Sequence, residues 1–535
     1  MNLLKRLIGQ NNLENITKLS FVILIYAVTL NQVSFTFDAD IGWHFRFAMD
    51  VLKGSFPYLD SYTWGYFGGP WVNTAWGGDV LYWLGYKYLG RFGLEMVLAA
   101  IFTSAFVLIS KIRTKKITLI GLFLSLLAVF AVRHLIVLRL SLVTPLFFVF
   151  IIYSLEKIKV SRWYWFWPPV IWLWSAIHGS WLLAFPLIAI YFFGNLIESI
   201  FSKYFINFKD KIWTKKEYLK SGLLATISLC LIIINPYGGR LFSEMFKVFS
   251  DDNFKKYIIE WMPSYVYPIF IFSVILAVVV LIVAIFAFWK KKITVSQAML
   301  VLTLFYTGMQ EKRNIIFILL IGIPILTELI IYAKKELEKN KLGWFYDRGN
   351  LSMITALVII ATAYFTVNIN FNNDLFQDKK TLEYTGIPFE AIDFFRNYEG
   401  REAVRIFNEF NWTGYLEWVI PENKVFVDGK IITTGRNPDR PNQTLLESYN
   451  EIMKKPDGLL WLEKNEVKFI LLSNRNKLKI EPGLAEKYFY GRESVEEGKK
   501  IVTIQLEKDL KESDRWTPIY ADEKAVIWEQ KTRPE

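Results

Sequence analysis

Long runs of apolar residues recur along the first 370 positions, separated by short polar connections. Runs such as 269–288 and 315–332 are each long enough to cross a hydrocarbon core of roughly 30 Å as a helix. We predict about eleven spanning helices, at 19–37, 92–110, 117–132, 140–155, 163–177, 181–199, 219–234, 267–289, 295–309, 314–333 and 351–368. The pattern therefore predicts an α-helical polytopic membrane protein.

Two longer polar stretches interrupt or follow this pattern. Within the first outer loop, 38–91, apolar residues at helical spacing predict an amphipathic interfacial helix at 42–53 and a second short helix at 75–89. Beyond about residue 380 we predict strands at 403–407, 425–428, 469–472, 501–506 and 525–528, with helices at 389–398 and 443–454. These patterns divide the chain into a membrane domain at 1–370, which includes the outer loop, and a soluble α/β domain at 371–535.

Composition supports the membrane assignment. Hydrophobic residues make up 53% and aromatic residues 17% of the 535 positions, which is too apolar for a soluble protein of this size. The net charge of +12 would suggest nucleic acid in a soluble protein, but aromatic residues of a membrane protein fit interfacial belts better than a nucleic-acid platform. The single cysteine, Cys230, excludes a disulfide framework and a thiolate metal site. The N-terminal residues lack a cleavage pattern, so the first span is expected to be retained.

Basic residues concentrate in alternate connections, which predicts the topology. Lysines and arginines precede the first span, follow the second, and recur at 157–162, 203–220, 290–292 and 334–348. By the positive-inside rule we expect these connections to lie on the cytoplasmic side of the plasma membrane. The N-terminus is then cytoplasmic, and an odd number of spans puts the C-terminal domain outside.

Asp38 and Asp40 follow the first span and are the main candidate catalytic residues. Carboxylates at membrane depth are costly and are usually functional. One could accept a proton from an attacking hydroxyl, while the other could hold a divalent cation or orient the acceptor. Two solvated interfacial acids are the simpler alternative.

Other polar residues gather on the same predicted outer face, including all three histidines. Arginines converging there suggest a pocket for a phosphate or pyrophosphate, although each alone could be a snorkelling anchor. His178 could contact substrate or cap a helical hairpin, and Glu260 could be an interfacial residue or a third carboxylate. The candidate binding residues are His44, Arg133, His134, Arg139, His178, Arg240, Glu260 and Arg313, with Lys312 beside the last.

The order of these features resembles the GT-C superfamily of membrane glycosyltransferases. That superfamily includes protein O-mannosyltransferases, the lipid A aminoarabinose transferase and the catalytic subunit of oligosaccharyltransferase. The chain is similar in particular to a group of bacterial membrane proteins of this type. The shared motifs are at 38–44, Pro57, Asp60, 70–73, Trp76, 178–179, 235–238, 260–261, the Arg313 loop, 412–415 and 425–429.

The resemblance implies transfer of a sugar from a polyprenyl phosphate or pyrophosphate to a protein, lipid or glycan acceptor at the outer membrane face. It implies that Asp38 is the catalytic carboxylate, that Asp40 is its partner or a ligand for Mg²⁺ or Mn²⁺, and that outer-loop arginines hold the lipid phosphate. Some members need a metal and others do not. The chain lacks the Trp-Trp-Asp-Tyr-Gly signature of oligosaccharyltransferase, and 411–415 is a faint echo of it, so asparagine-linked transfer is not implied.

The residues fit the chemistry that the resemblance implies, since a hydroxyl needs a base and a departing phosphate needs positive charge. Our hypothesis is an inverting glycosyl transfer. Two other readings stay open at this point. A lipid-linked sugar transporter or flippase would usually place its site at the bilayer midplane between repeated halves, and we find no repeat. A non-catalytic envelope assembly protein is the third reading.

Overall fold

The computed structural model describes residues 10–36, 38–114, 116–201, 204, 211–250, 258–337, 348–430, 435–437, 440–474 and 504–531. Up to residue 371, its α-helices are Gln10–Ser34, Ile41–Leu52, Trp76–Ile109, Leu119–Ala131, Thr144–Glu156, Trp167–Ile177, Ala184–Ile200, Lys215–Ile232, Arg240–Ser250, Ile271–Trp289, Val295–Gln310, Ile315–Leu337 and Arg348–Val367. The later helices are Lys379–Tyr384, Phe389–Arg396, Thr413–Val419, Leu445–Lys454, Gly458–Lys464 and Gln505–Glu512.

Each predicted span coincides with one of these helices. In the described part of the chain, six helices are long and apolar enough to cross a membrane: Asn12–Ser34, Trp76–Ile109, Gly179–Ile200, Pro268–Trp289, Lys312–Ala333 and Gly349–Val367. Two shorter apolar helices, Leu119–Ala131 and Leu140–Glu156, accompany them. The protein is therefore a multi-pass membrane protein.

The chain divides into two compact units. The helical unit comprises Met1–Phe35, Phe92–Pro236 and Ile258–Phe371, and the mixed unit comprises Thr36–Arg91, Tyr237–Tyr257 and Asn372–Glu535. The first outer loop, grouped above with the membrane domain on sequence, thus clusters with the C-terminal residues.

Small and hydroxyl side chains mark the helix contacts of the helical unit. Thr17 and Thr355 share a hydrogen bond of 2.7 Å between their hydroxyls. Where Gly194 passes Ser296, a β-carbon on the glycine would lie 2.5 Å from the serine Cα. Helices of a membrane protein approach this closely through small residues, because lipid supplies little hydrophobic drive for association.

The mixed unit contains a four-stranded sheet of β1 (Arg405–Asn408), β4 (Val467–Ser473), β5 (Trp516–Ala521) and β6 (Ala525–Gln530), in the order β1-β4-β6-β5. The β1–β4 pair is parallel and the other two pairs are antiparallel. A separate antiparallel ribbon is formed by β2 (Arg436–Asn437) and β3 (Arg440–Thr444). Strands alternating with helices make this an α/β arrangement, as predicted.

The core of the mixed unit is shared between the outer loop and the C-terminal residues. Trp43, Phe47 and Trp71 from the loop are buried in one cluster with Phe407 and Phe426. Burying large aromatic side chains supplies much of the stabilisation of such a core. The loop is therefore an integral part of this unit's packing.

Two predicted elements differ from the structure, and a third is confirmed. The segment 425–428 is not a strand; Val425 makes an isolated bridge to Thr63. The segment 501–506 was predicted to be a strand, and its residues 504–506 lie in the described part of the chain. They lead into the helix Gln505–Glu512, whose buried Leu506 and Leu510 have helical spacing. The helices predicted at 75–89 and 92–110 are both present, since Trp76–Ile109 consists of two helical stretches separated by a kink at the non-helical Gly90, with φ 67°.

Candidate functional site

Asp38 and Asp40 lie in a tight turn that directly precedes the helix Ile41–Leu52. The backbone N–H of Asp40 donates to a carboxylate oxygen of Asp38 at 3.1 Å, and the N–H of Ile41 donates to the Asp38 carbonyl at 3.1 Å. An aspartate commonly fixes a turn in this way. The Asp38 residue is only 8% exposed, so its carboxylate is held in a largely dry environment.

His44 lies one helical turn after Asp40 and pairs with a buried carboxylate. Its Nδ1 is 2.6 Å from Oδ1 of Asp79, and its ring stacks on that of Trp43 with centroids 3.6 Å apart. Asp79 is fully buried and also accepts a 2.6 Å hydrogen bond from the side-chain amide of Asn73. These contacts fix the orientation of the imidazole ring.

The carboxylates around His44 favour its charged form. Burial alone lowers the pKa of an imidazole, but here the charge and hydrogen bond of Asp79, with smaller contributions from Asp38 and Asp40, raise the pKa of His44 above its ordinary value. His44 therefore keeps a positive charge to a higher pH than an ordinary imidazole does, close to the Asp38–Asp40 turn.

Glycines of the C-terminal segment enclose this turn. A β-carbon on Gly414 would lie 2.2 Å from the carbonyl oxygen of Ala39, and one on Gly42 would lie 1.8 Å from the carbonyl oxygen of Gly414. A β-carbon on Gly429 would lie 2.6 Å from a carboxylate oxygen of Asp40. A side chain at position 42 or 414 would collide with backbone, and one at position 429 would displace the Asp40 carboxylate, so bare backbone packs against Ala39 and Asp40.

A second group of predicted residues meets in the helical unit. Arg139 Nη1 pairs with Glu260 Oε1 at 2.5 Å, and the Arg313 guanidinium lies 4.4 Å from the centroid of the Trp261 ring. Burial alone would raise the pKa of Glu260, but Arg139, Arg313 and Lys312 together hold it below its ordinary value. Three cations thus act on Glu260, and Glu311 also acts on Arg313, so the group keeps a net positive charge.

His134 borders the same group. Lys312 Nζ lies 5.3 Å from the centroid of the Phe270 ring, and the His134 ring centroid lies 6.2 Å from that of Phe270. Arg133 Nε donates to His134 Nε2 at 3.2 Å. Burial and the charge of Arg133 lower the pKa of His134 to about 4, so its ring is neutral at pH 7.

The remaining predicted residues have local roles in the structure. His178 Nδ1 accepts a hydrogen bond from the Ser180 N–H at 3.2 Å and lies 2.7 Å from the Ser180 hydroxyl, so it caps the short helix Gly179–Leu183. Arg240 begins the helix Arg240–Ser250 in the mixed unit, and its charge acts on Glu244.

Asp38 and Asp40 are the residues that could hold a metal ion. Among the residues that the structure describes, no three His, Cys, Asp or Glu side chains are grouped as metal ligands. Two carboxylates nevertheless fit Mg²⁺ or Mn²⁺, because Mg²⁺ is usually held by one or two carboxylates with water and substrate phosphate oxygens as the other ligands.

Sequence reasoning missed Asp79, and it named Gly414 and Gly429 only within the motifs 412–415 and 425–429, without placing them at this site. Asp79 could have been found as an acidic residue in the first turn of an apolar helix, where an unneeded charge is costly. Gly414 and Gly429 looked like ordinary turn residues, since nothing local shows that a distant segment packs against them.

Comparison with known proteins places the chain by its fold. No family model and no curated protein matches the sequence. The archaeal oligosaccharyltransferase AglB from Archaeoglobus fulgidus, in complex with an inhibitory peptide and a dolichol-phosphate, is similar with a TM-score of 0.51 and 11% identity, over 86% of this chain and 69% of that one. The Archaeoglobus fulgidus oligosaccharyltransferase tethered to an acceptor peptide gives a TM-score of 0.51 at 12% identity over the same shares.

Those oligosaccharyltransferases combine a helical membrane part with a C-terminal domain, as this chain does. At such low identity the likeness concerns the fold and not the activity. The chain is therefore similar in fold to these oligosaccharyltransferases.

Proposed function

We propose that this protein is an integral-membrane glycosyltransferase. It takes a sugar from a polyprenyl-phosphate donor and passes it to a hydroxyl acceptor at the outer face of the plasma membrane, with inversion. The observation that carries the proposal is the enclosed Asp38–Asp40 turn with the His44–Asp79 pair beside it. A fold similar to that of a protein seen with dolichol-phosphate supports a lipid-linked donor.

The proposed reaction is a single displacement at the anomeric carbon. The acceptor hydroxyl gives its proton to the Asp38 carboxylate while its oxygen forms the new glycosidic bond. The bond between the anomeric carbon and the phosphate oxygen breaks, and its electron pair leaves with the lipid phosphate. One displacement inverts the configuration at that carbon.

The leaving phosphate gains negative charge, and fixed cations stabilise it. In the mixed unit the His44 imidazolium, oriented by Asp79, is assigned this role. A divalent metal, if bound, would be held by Asp40 and would supply further positive charge.

The cation group of the helical unit is assigned to anion binding. Arg139, Lys312 and Arg313 carry more positive charge than Glu260 balances. Arginine binds phosphate through two parallel hydrogen bonds, which suits a lipid phosphate or pyrophosphate. Glu260 would keep the arginine side chains ordered until such a ligand arrives.

The test is transfer of radiolabelled sugar from a panel of polyprenyl-phosphate sugars by purified protein. We expect transfer by the wild type and a loss of about 100-fold or more in Asp38→Asn, since a general base commonly contributes 10²–10⁴-fold. Asp393→Asn, at an exposed position of the mixed unit, is the matched control and should keep full activity.

Thermal unfolding of each variant would show that the loss is not caused by misfolding. Full transfer by folded Asp38→Asn would remove Asp38 as the base. No transfer by the wild type across the panel would reject the glycosyltransferase proposal.

A further inference from the structure

The turn that contains Gly429 packs directly against the Asp40 carboxylate. The three heavy atoms nearest to a β-carbon built on Gly429 all belong to that carboxylate, at 2.6, 2.7 and 2.9 Å. The Gly429 backbone thus touches Asp40 where any other residue would displace it. The position of this turn therefore decides where the Asp40 carboxylate can lie.

Lys430, the next residue, anchors the turn in the interior of the mixed unit. Its side chain is fully buried, and Nζ lies 3.1 Å from Oδ1 of Asp60 and 3.7 Å from Oε1 of Glu417. It also pairs with Asp428. The ammonium lies 4.7 Å from the centroid of the Tyr62 ring, a cation–π contact.

Asp60 is itself fixed by the outer loop. Its carboxylate accepts hydrogen bonds from the backbone N–H groups of Tyr62 at 3.3 Å and Thr63 at 3.2 Å. The Lys430 anchor therefore ties the C-terminal turn to the loop that follows Asp38 and Asp40. Both ends of this connection lie in the same compact unit.

A purely structural role explains this arrangement poorly. Three buried carboxylates share one ammonium, and replacing buried ion pairs by apolar residues often stabilises a protein. What a buried ionic network does provide is a single allowed geometry, since any shift leaves charges unpaired. Such a network suits a turn whose exact placement matters for chemistry.

We infer that Gly429 and Lys430 are positioning residues that set the Asp40 carboxylate for the sugar transfer. The inference rests on the proposed function. Gly429 acts by contact with Asp40, and Lys430 acts by holding Gly429 in place.

The contact is tested by a double-mutant cycle in thermal stability, which needs no activity. Gly429→Ala should lower the melting temperature by at most a few degrees, because its β-carbon pushes aside the end of the Asp40 side chain. In the Asp40→Ala background the same change should cost little. Gly239→Ala, where a β-carbon would meet nothing within 4 Å, is the control in the same unit. An equal fall in melting temperature in both backgrounds would show that Gly429 does not contact the Asp40 carboxylate.

The anchor is tested with Asp428→Asn, which removes one of the three carboxylates and leaves Lys430 paired with the other two. If the network serves positioning, kcat should fall about 10-fold or more with little change in KM for the donor and no loss of stability. Unchanged kcat, or a fall only in proportion to lost stability, would overturn the positioning role.

Failure of the proposed function is distinguishable from failure of this inference. Absence of transfer by the wild type would reject the glycosyltransferase. The stability cycle would still decide whether Gly429 sets the place of Asp40.

Discussion

At the scale of single residues, Asp79 is the neighbour that contributes most to raising the pKa of His44. The carboxylate is fully buried and lies 2.6 Å from Nδ1 of the ring. Because burial alone disfavours an imidazolium, the charged state of His44 depends on this neighbour. Asp79 therefore acts through His44.

Replacing Asp79 by asparagine should lower the pKa of His44, since desolvation then remains without the compensating charge. The chain has three histidines, so ¹³C labelling at the ring Cε1 carbon gives three resonances to follow against pH. His44→Asn assigns one of them. The His134 resonance, expected to titrate near pH 4, is the internal control. An unaltered His44 titration in Asp79→Asn would contradict the assigned role.

Glu417 makes stability depend on pH. Desolvation raises its pKa to about 7, with the charge of Lys430 opposing and that of Asp60 assisting the shift. The carboxyl of the unfolded chain ionises near pH 4.5. The contribution of Glu417 to the free energy of unfolding is therefore complete below that pH and is lost as the pH rises towards 7. The loss amounts to at most about 3 kcal/mol.

The measurement is the melting temperature of wild type and Glu417→Gln between pH 4.5 and 7.5. Other groups titrate in this range, so the quantity to compare is the difference between the two proteins. The melting temperature of Glu417→Gln should rise relative to that of the wild type as the pH increases. Glu399→Gln, at an exposed site, should follow the wild type. Parallel curves for wild type and Glu417→Gln would refute the shift.

At the scale of elements, two helices cross through paired glycines. Ile41–Leu52 and Thr413–Val419 approach where a β-carbon on Gly42 would lie 1.8 Å from the Gly414 carbonyl oxygen and 2.9 Å from Cβ of Trp418. Since the first helix begins at the Asp38–Asp40 turn, this crossing also sets the site.

Gly42→Ala should destabilise the mixed unit by about 1–3 kcal/mol or more, because the backbones must move apart. Chemical or thermal unfolding measures this, with Gly239→Ala as a glycine substitution that meets no neighbour. A Gly42→Ala protein as stable as that control would show that the helices do not cross so closely.

Much of the element order could be predicted from sequence, because long apolar runs specify membrane helices by length alone. The strands at 403–407, 469–472 and 525–528 were found, as β1, β4 and β6, from their apolar runs. Segment 425–428 has the same composition but makes an isolated bridge through Val425. In 505–512 the leucine spacing and the Glu507–Lys511 pair favour a helix over the predicted strand.

The site was predictable only where its residues are close in sequence. Asp38, Asp40 and His44 lie close together in sequence, and all three are ionisable residues that follow the first apolar span. Gly429 and Lys430 belong to the same surroundings through tertiary packing, which periodicity and spacing do not encode.

At the scale of the whole molecule, the charge pattern of the connections predicts an inside and an outside. The basic connections, including 157–162, are expected in the cytoplasm, and the C-terminal residues outside. The single cysteine makes the orientation testable.

In a Cys230→Ser background, Leu460→Cys should react with a membrane-impermeant maleimide on intact cells, and Val160→Cys only after permeabilisation. Both positions are exposed, at 65% and 83%. The reverse labelling pattern would invert the topology and place the candidate site inside the cell.

The mixed unit is assembled from three separated stretches of chain, and this has a consequence for biosynthesis. Asp40 leaves the ribosome early, whereas Gly429 and Lys430 follow only after every predicted membrane helix has been made. A nascent chain can thus have all its membrane helices inserted before Gly429 and Lys430 are available to pack around Asp40. Under the proposed function, prematurely terminated products would reach the membrane without activity, and translation of the last part of the message would switch the enzyme on.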